Sequence, residues 1–276
     1  GGGNAGGRGP RAPQEPGASV IVLEASPRDF RGGNSRHTRN LRCAHAAPTD
    51  VLIESYSEDE FLADLMRVTN NEADGPLARL LVNLSASCPA WMAQFGVRFQ
   101  PSLSGTLHLS RTNAFFLGGG KALMNSYYAA AARAGICVVY DAEVVNLDIH
   151  EGAFRGASVR VEGHAEEVTA GAVVIAAGGF EANIDWLREI WGDAADNFII
   201  RGTPYNKGTL LKLLLDAGAQ AVGDPSQCHA IAVDARAPRF DGGIVTRLDS
   251  LPFGIVVNKH GERVYEGGEG AWPKRD

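Results

Sequence analysis

The glycines of this 276-residue chain are clustered, and the clustering constrains its fold more than any other feature. Fourteen of the 34 fall at Gly1-Gly2-Gly3, Gly32-Gly33, Gly118-Gly119-Gly120, Gly178-Gly179, Gly242-Gly243 and Gly267-Gly268, with ordinary apolar and amphipathic runs between. Glycine tolerates positive φ and lets backbone approach a neighbour closely, so clusters at element ends mark tight turns and ligand-facing backbone. The 34 glycines make about 12% of the chain against ~7% in average proteins, yet the segments between them are not low in complexity.

The first cluster opens a nucleotide-binding pattern. Gly1, Gly3 and Gly6 form G-x-G-x-x-G, followed by a β-branched run at 18–24 that reads as a buried parallel strand. That run ends in Glu24, 21 residues past Gly3, where a carboxylate can accept both ribose hydroxyls of an adenosine. The competing readings are a linker scar for the glycines and a solvated strand-end acid for Glu24. The helix that should follow the glycine turn is compromised. Residues 7–16 carry Pro10, Pro13 and Pro16 and no large apolar residue, and each interior proline costs a helix ~3 kcal/mol. The right length with the wrong composition suggests a locally shifted reading frame restored before Gly17.

Further along, Ser57 to Glu60 is a capping box that starts a helix. Leu77, Leu80, Leu81, Leu84, Trp91 and Phe95 predict a second helix with an apolar face, stopped at Gly96. An alanine-rich helix spans 121–134 and closes on Gly135. Strands are expected at 136–140, 143–149, 154–162, 166–169 and 172–176, a helix at 207–217, and short strands at 254–258 and 262–265. The order gives an α/β chain with a β-meander inserted before one apolar strand.

Composition narrows the function classes. With 45% hydrophobic and 21% charged residues the chain can bury a core, and its length allows one large or two modest domains. Lys plus Arg number 26 against 32 Asp plus Glu, a net charge of -6, which does not suit nucleic acid as a partner. No apolar run reaches ~18 residues, so no transmembrane segment is expected. Cys43, Cys88, Cys137 and Cys228 are far apart and form no CxxC pair, so neither a metal site nor a disulfide framework is expected. A cytoplasmic location is the default. The chain starts without Met and stops at Trp272-Pro273-Lys274-Arg275-Asp276, so truncation at both ends is expected.

Several segments together resemble the fumarate reductase/succinate dehydrogenase flavoprotein family. They are Gly1-Gly2-Gly3-Asn4-Ala5, Glu24, Arg31-Gly32-Gly33-Asn34-Ser35 and Val174-Ile175-Ala176-Ala177-Gly178-Gly179-Phe180. Residues 32–42, Arg111 to Phe116 and Gly118 to Leu123 are similar to its tricarballylate dehydrogenase branch. The resemblance covers nearly the whole chain apart from 7–16. It implies a Rossmann-like FAD-binding domain with an inserted β-meander, plus a partial α+β capping domain. The expected division is an FAD-binding domain over 1–225, lacking its first strand, and the start of a substrate cap over 226–276.

By position, the resemblance implies that Gly32, Gly33, Asn34 and Ser35 wrap the FAD pyrophosphate and flavin edge, since small residues let N–H groups reach oxygen acceptors. Asn40 and Leu41 fall near the flavin. Asn34 stands where succinate dehydrogenases carry the histidine that bonds FAD, which implies non-covalent FAD, with His37 as an alternative attachment point. Val144 matches a backbone contact to adenine, or is a plain sheet-core valine. Ala177 and Gly178 fall beside FAD, or form a simple strand-end turn.

On the substrate side, the resemblance implies that His229 and Thr246 bind a carboxylate. Arg247 replaces a common Glu and can grip a second carboxylate through two parallel hydrogen bonds. Arg275 matches the arginine that moves the proton opposite the hydride; its other reading is a terminal surface charge. The implied activity is oxidation of a small polycarboxylate, tricarballylate to cis-aconitate, with hydride going to flavin N5 and electrons to a redox partner. Three alternatives stay open: the flavoprotein portion of a precorrin-3B synthase, a non-catalytic fragment of such a flavoprotein, and NAD in place of FAD.

Overall fold

A computed structural model describes residues 19–103, 108–228, 231, 233–242 and 254–263. They divide between two compact units, the first being Gly1–Glu143 with Val161–Gly163 and Val174–Ala176, the second Val144–Arg160 with His164–Val173 and Ala177–Asp276.

The first unit is organised by a parallel strand pair. β1 (Ile21–Leu23) runs beside β4 (Cys137–Val139), with Val22 opposite Val138, and the Glu24 N–H extends the ladder to the Val139 carbonyl at 2.9 Å. Parallel strands need a long crossover, and here it carries most of the unit's helices. β2 (Asn40–Arg42) pairs antiparallel with β3 (Asn113–Phe115), a pairing not foreseen from sequence. α1 (Glu58–Val68) starts as the capping box predicts, with Ser57 Oγ accepting from the Glu60 N–H at 3.2 Å. α2 (Gly75–Ser85) is capped by Asp74, which accepts from the Leu77 N–H at 2.8 Å.

The second helix of the sequence reading is corrected in two respects. It breaks after Ser85, and a new helix, α3 (Cys88–Ala93), begins with Pro89 in its first turn, where proline's missing N–H costs nothing. Its leucine face also points the other way. Leu77, Leu80, Leu81 and Leu84 are each more than half exposed, while Ala78, Val82 and Ser85 are buried. Both sets recur at helical spacing, so periodicity could not choose between them. The packing selects the smaller face: Val82 joins Ala44, Tyr56 and Phe61 in one core cluster.

α4 (Gly119–Arg133) closes on Gly135 in the left-handed region, as expected. Its Leu123, Met124, Tyr127 and Ala130 form the largest core cluster with Met92, Phe95, Val97 and Phe116.

The predicted meander is present, most of it in the second unit. β5 (Ala142–His150), β6 (Ala153–Val161) and β7 (His164–Thr169) lie in sequence order. The turns Glu151-Gly152 and Glu162-Gly163 have positive φ at both residues, the hairpin geometry that matches strand twist. α5 (Ile184–Trp191), capped by Asn183, was not foreseen; α6 (Thr209–Asp216) was.

Two strand expectations fail. Residues 172–179 carry no ladder, and Val173 and Val174 are 43% and 62% exposed. An apolar β-branched run becomes a strand only where another backbone meets it, and none does among the described residues. The strands at 254–258 and 262–265 reduce to one antiparallel bridge, Val257 to Arg263, with 264 and 265 outside the described residues. The α/β class holds; the described parallel ladder is the single pair β1–β4.

Candidate cofactor site

The site is built at the C-terminal end of β1, where a parallel strand delivers its last residue beyond the sheet. That residue is Glu24, 5% exposed. Burying a carboxylate costs several kcal/mol unless hydrogen bonds compensate, and here they do. Oε1 accepts from the Ser26 N–H at 3.2 Å, and Oε2 from the Gly32 N–H at 3.3 Å and the Tyr128 hydroxyl at 3.0 Å. The solvated-acid reading of Glu24 therefore fails.

The Gly32 contact ties the strand end to the glycine loop. Gly32 has φ +103° and Gly33 φ +54°, conformations that resist side chains, and a 3-10 helix follows over Gly33–His37. Asn34 and Ser35 lie in that helix. The loop rests on the start of α4 so closely that a Cβ on Gly120 would stand 2.3 Å from the Ser35 carbonyl oxygen, and one on Gly32 2.9 Å from Met124 Cγ. Buried Arg36 braces the loop by donating to the Asp29 carbonyl at 3.2 Å, its guanidinium 5.2 Å from the Phe30 ring centre.

Asn40 and Leu41 sit on β2. Asn40 Nδ2 donates to Asn113 Oδ1 at 2.6 Å, and Leu41 pairs with Ala114. The first unit thus brings together Glu24, Gly32, Gly33, Asn34 and Ser35, with β2 continuing from their loop. Val144 on β5, and Ala177 with Gly178, belong to the second unit. Gly178 has φ +77° and lies so close to Asn206 that a Cβ would meet its side-chain amide at 2.5 Å; Asn206 in turn donates to Glu181 at 2.8 Å. Close approach inside the second unit thus accounts for that glycine. Gly1, Gly3, Gly6, the segment 7–16, His229, Thr246, Arg247 and Arg275 lie outside the described residues.

Sequence reasoning gave no role to Ser26, Arg31 or Tyr128. Ser26 is 1% exposed, and its hydroxyl has no hydrogen-bond partner among the described residues. A buried hydroxyl beside a buried carboxylate and glycine amides suits a polyhydroxylated, anionic nucleotide, so the residues present fit such a group. Tyr128 donates to Glu24 from a helix 104 residues away. Burial and the Glu24 charge push its phenol well above the free value, so it remains a donor. No group of three or more His, Cys, Asp or Glu residues among those described could hold a metal ion. No described helix is long and apolar enough to cross a membrane.

Residues 1–272 match the family model of an FAD binding domain. A vinyl phenol reductase of Lactiplantibacillus plantarum is 23% identical over 259 residues, which are 90% of this chain and 51% of that protein. The chain therefore spans about half the length of that relative. Among solved structures, a flavocytochrome c3 fumarate reductase in its open conformation has TM-score 0.67 and 23% identity, over 79% of this chain and 39% of the other. The 3-ketosteroid-Δ4-(5α)-dehydrogenase of Rhodococcus jostii RHA1, in complex with 4-androstene-3,17-dione, has TM-score 0.68 and 20% identity, over 91% and 57%. These likenesses fix the fold.

Proposed function

Since the chain belongs to the FAD binding domain family, we propose that it is the flavin-holding part of an oxidoreductase acting on a carbon–carbon bond of a small polycarboxylate, with tricarballylate oxidised to cis-aconitate. Its cofactor is FAD. The observation that carries the reading is the Glu24 carboxylate, buried at the end of a parallel strand and hydrogen-bonded to the glycine loop. Glu24 takes the ribose hydroxyls, and the backbone of Gly32, Gly33, Asn34 and Ser35 faces the pyrophosphate. Asn34 has no nucleophilic nitrogen, which favours non-covalent attachment. Asn40, Leu41, Val144, Ala177 and Gly178 complete the cofactor contacts, with the nucleotide domain over 1–225 and the cap beginning at 226.

When bound, FAD supplies the hydride acceptor. The work of this chain's own side chains is to hold and deprotonate. His229, Thr246 and Arg247 anchor carboxylates, which fixes the substrate's orientation. Arg275 removes the proton from the neighbouring carbon, which requires a dry, cationic setting that lowers a guanidinium's affinity for protons. A redox partner then takes the electrons. The relatives' names cover a vinyl phenol, fumarate and a steroid, so the fold does not select the substrate. The polycarboxylate reading rests on the resemblance of residues 32–42 and 111–123 and on the cationic side chains.

Anaerobic stopped-flow mixing with tricarballylate tests it. The expected result is loss of flavin absorbance, slowed at least a hundredfold by Arg275→Lys with tricarballylate affinity retained, because lysine keeps the charge and loses the planar reach. His229→Ala and Arg247→Ala should mainly weaken substrate binding. Bleaching at the parent rate in Arg275→Lys would assign proton removal elsewhere, and no bleaching by any polycarboxylate would reject the substrate class.

A further inference from the structure

Glu24 is held by a side chain whose role neither the glycine pattern nor the family likeness assigns. Tyr128 Oη donates to Glu24 Oε2 at 3.0 Å, the same oxygen that accepts from the Gly32 N–H. The ring of Tyr128 is fixed on two sides. Tyr140 lies 6.1 Å away, ring centre to ring centre, tilted by 35°, and the Arg31 guanidinium stands 4.9 Å from the Tyr128 ring centre. Arg31 is itself anchored to α4, where its Nη2 donates to Asn125 Oδ1 at 2.6 Å. Asn125 and Tyr128 are three residues apart and share one helix face. One turn of α4 therefore holds both ends of the segment from Glu24 to Gly32, through Tyr128 at the start and Arg31 at the finish.

Recognising a ribose diol requires a carboxylate in one orientation. A glutamate side chain has three rotatable bonds, and each rotamer left open in the unliganded protein is lost when the ligand binds. Tyr128 removes that freedom beforehand with a neutral donor that stays protonated across the working pH range. Arg31, stacked over the ring, keeps Tyr128 from swinging away from Glu24.

We propose that Tyr128 is a positioning residue for the nucleotide, orienting the Glu24 carboxylate toward the ribose hydroxyls, with Arg31 and Tyr140 holding its ring. This rests on the reading that Glu24 binds ribose, and the experiment separates the two. Calorimetric titrations with ADP and with 2′-deoxyADP report the preference for the 2′-hydroxyl, a quantity that general loss of stability does not change. The parent should prefer ADP by about tenfold, the effect of one charge-assisted hydrogen bond. Tyr128→Phe keeps the ring and removes the donor; ADP binding should persist with the preference reduced to about threefold or less. Tyr128→His, whose ring N–H can donate, should retain part of it and serves if the Phe variant does not fold. Glu24→Gln should abolish the preference. If Glu24→Gln abolishes the preference while the Tyr128 variants keep it in full, the positioning role is overturned and the ribose reading stands. If Glu24→Gln also keeps it, or the parent shows none, both are overturned.

Discussion

At the scale of single residues, the site depends on what glycine lacks and what a buried carboxylate demands. Gly120 lies inside α4, where alanine would gain up to ~1 kcal/mol of helix propensity. The same Cβ would stand 2.3 Å from the Ser35 carbonyl, against rigid backbone. Overpacking of that kind costs about 1–3 kcal/mol, so the clash outweighs the propensity. Gly120→Ala should lower the urea midpoint and weaken FAD together, because the loop that must move carries Gly32 to Ser35; an unchanged midpoint would mean that α4 and the loop separate at no cost. Glu24→Gln should also lower the midpoint, since its amide NH2 must face a donor of Ser26, Gly32 or Tyr128, and should reduce FAD affinity, since a neutral amide forfeits a charge-assisted bond worth roughly 1.5–3 kcal/mol. Fluorescence titration with FAD reads the change, about tenfold or more. The legible part of this site was Glu24, which a strand ending in an acid announces, and Gly32, which the family resemblance implied. Tyr128 was hidden among alanines in α4, because its partner lies 104 residues away.

At the scale of elements, α2 shows how one periodic sequence supports two burial patterns. Its leucines at 77, 80, 81 and 84 and its smaller residues at 78, 82 and 85 each form a helical stripe, and the structure buries the smaller stripe. The energetic consequence is directly measurable. Val82 is fully buried, so Val82→Ala should cost about 1.5–3 kcal/mol. Leu84, 56% exposed, should change stability by no more than about 0.5 kcal/mol as Leu84→Ala. Denaturant melts of the two variants check this, and the reverse ranking would restore the leucine face to the core. Local signals fared better where they act locally: Ser57 caps the helix expected after it, whereas Asp74 and Asn183 cap their helices in the same way without having been read as starts. The short strands β2 and β3 went unread because three residues carry too little pattern, and their pairing joins positions more than 70 residues apart.

At the scale of the molecule, buried phenols set a limit on alkaline stability. Tyr56 is fully buried and hydrogen-bonds Asp64 at 2.9 Å; burial pushes its phenol up from 10.0 to about 12, and that of Tyr128 rises further. The folded chain therefore keeps protons that the unfolded chain releases above pH 10. The stability from these phenols is complete below pH 10 and is lost as pH climbs past it. The urea midpoint should decline between pH 10 and 12, and Tyr56→Phe should make that decline shallower while lowering the midpoint at neutral pH through the lost hydrogen bond. An identical alkaline slope in parent and variant would show that Tyr56 ionises as readily in the folded chain as in the unfolded one.

What the sequence determined by itself is what short-range physics controls. Helix starts follow from a capping side chain three residues from the amide it accepts. The meander follows from alternation and from turns that require positive φ. The nucleotide strand follows from a β-branched run ending in an acid. The tertiary structure decided whatever depends on a partner far along the chain. It turned the α2 leucines outward, left Val173 and Val174 without a ladder, and brought Tyr128 to Glu24. A stripe, an apolar run or a polar side chain specifies only that something must meet it. What meets it is settled by packing, where competing faces differ by the few kcal/mol that burial and hydrogen bonding supply.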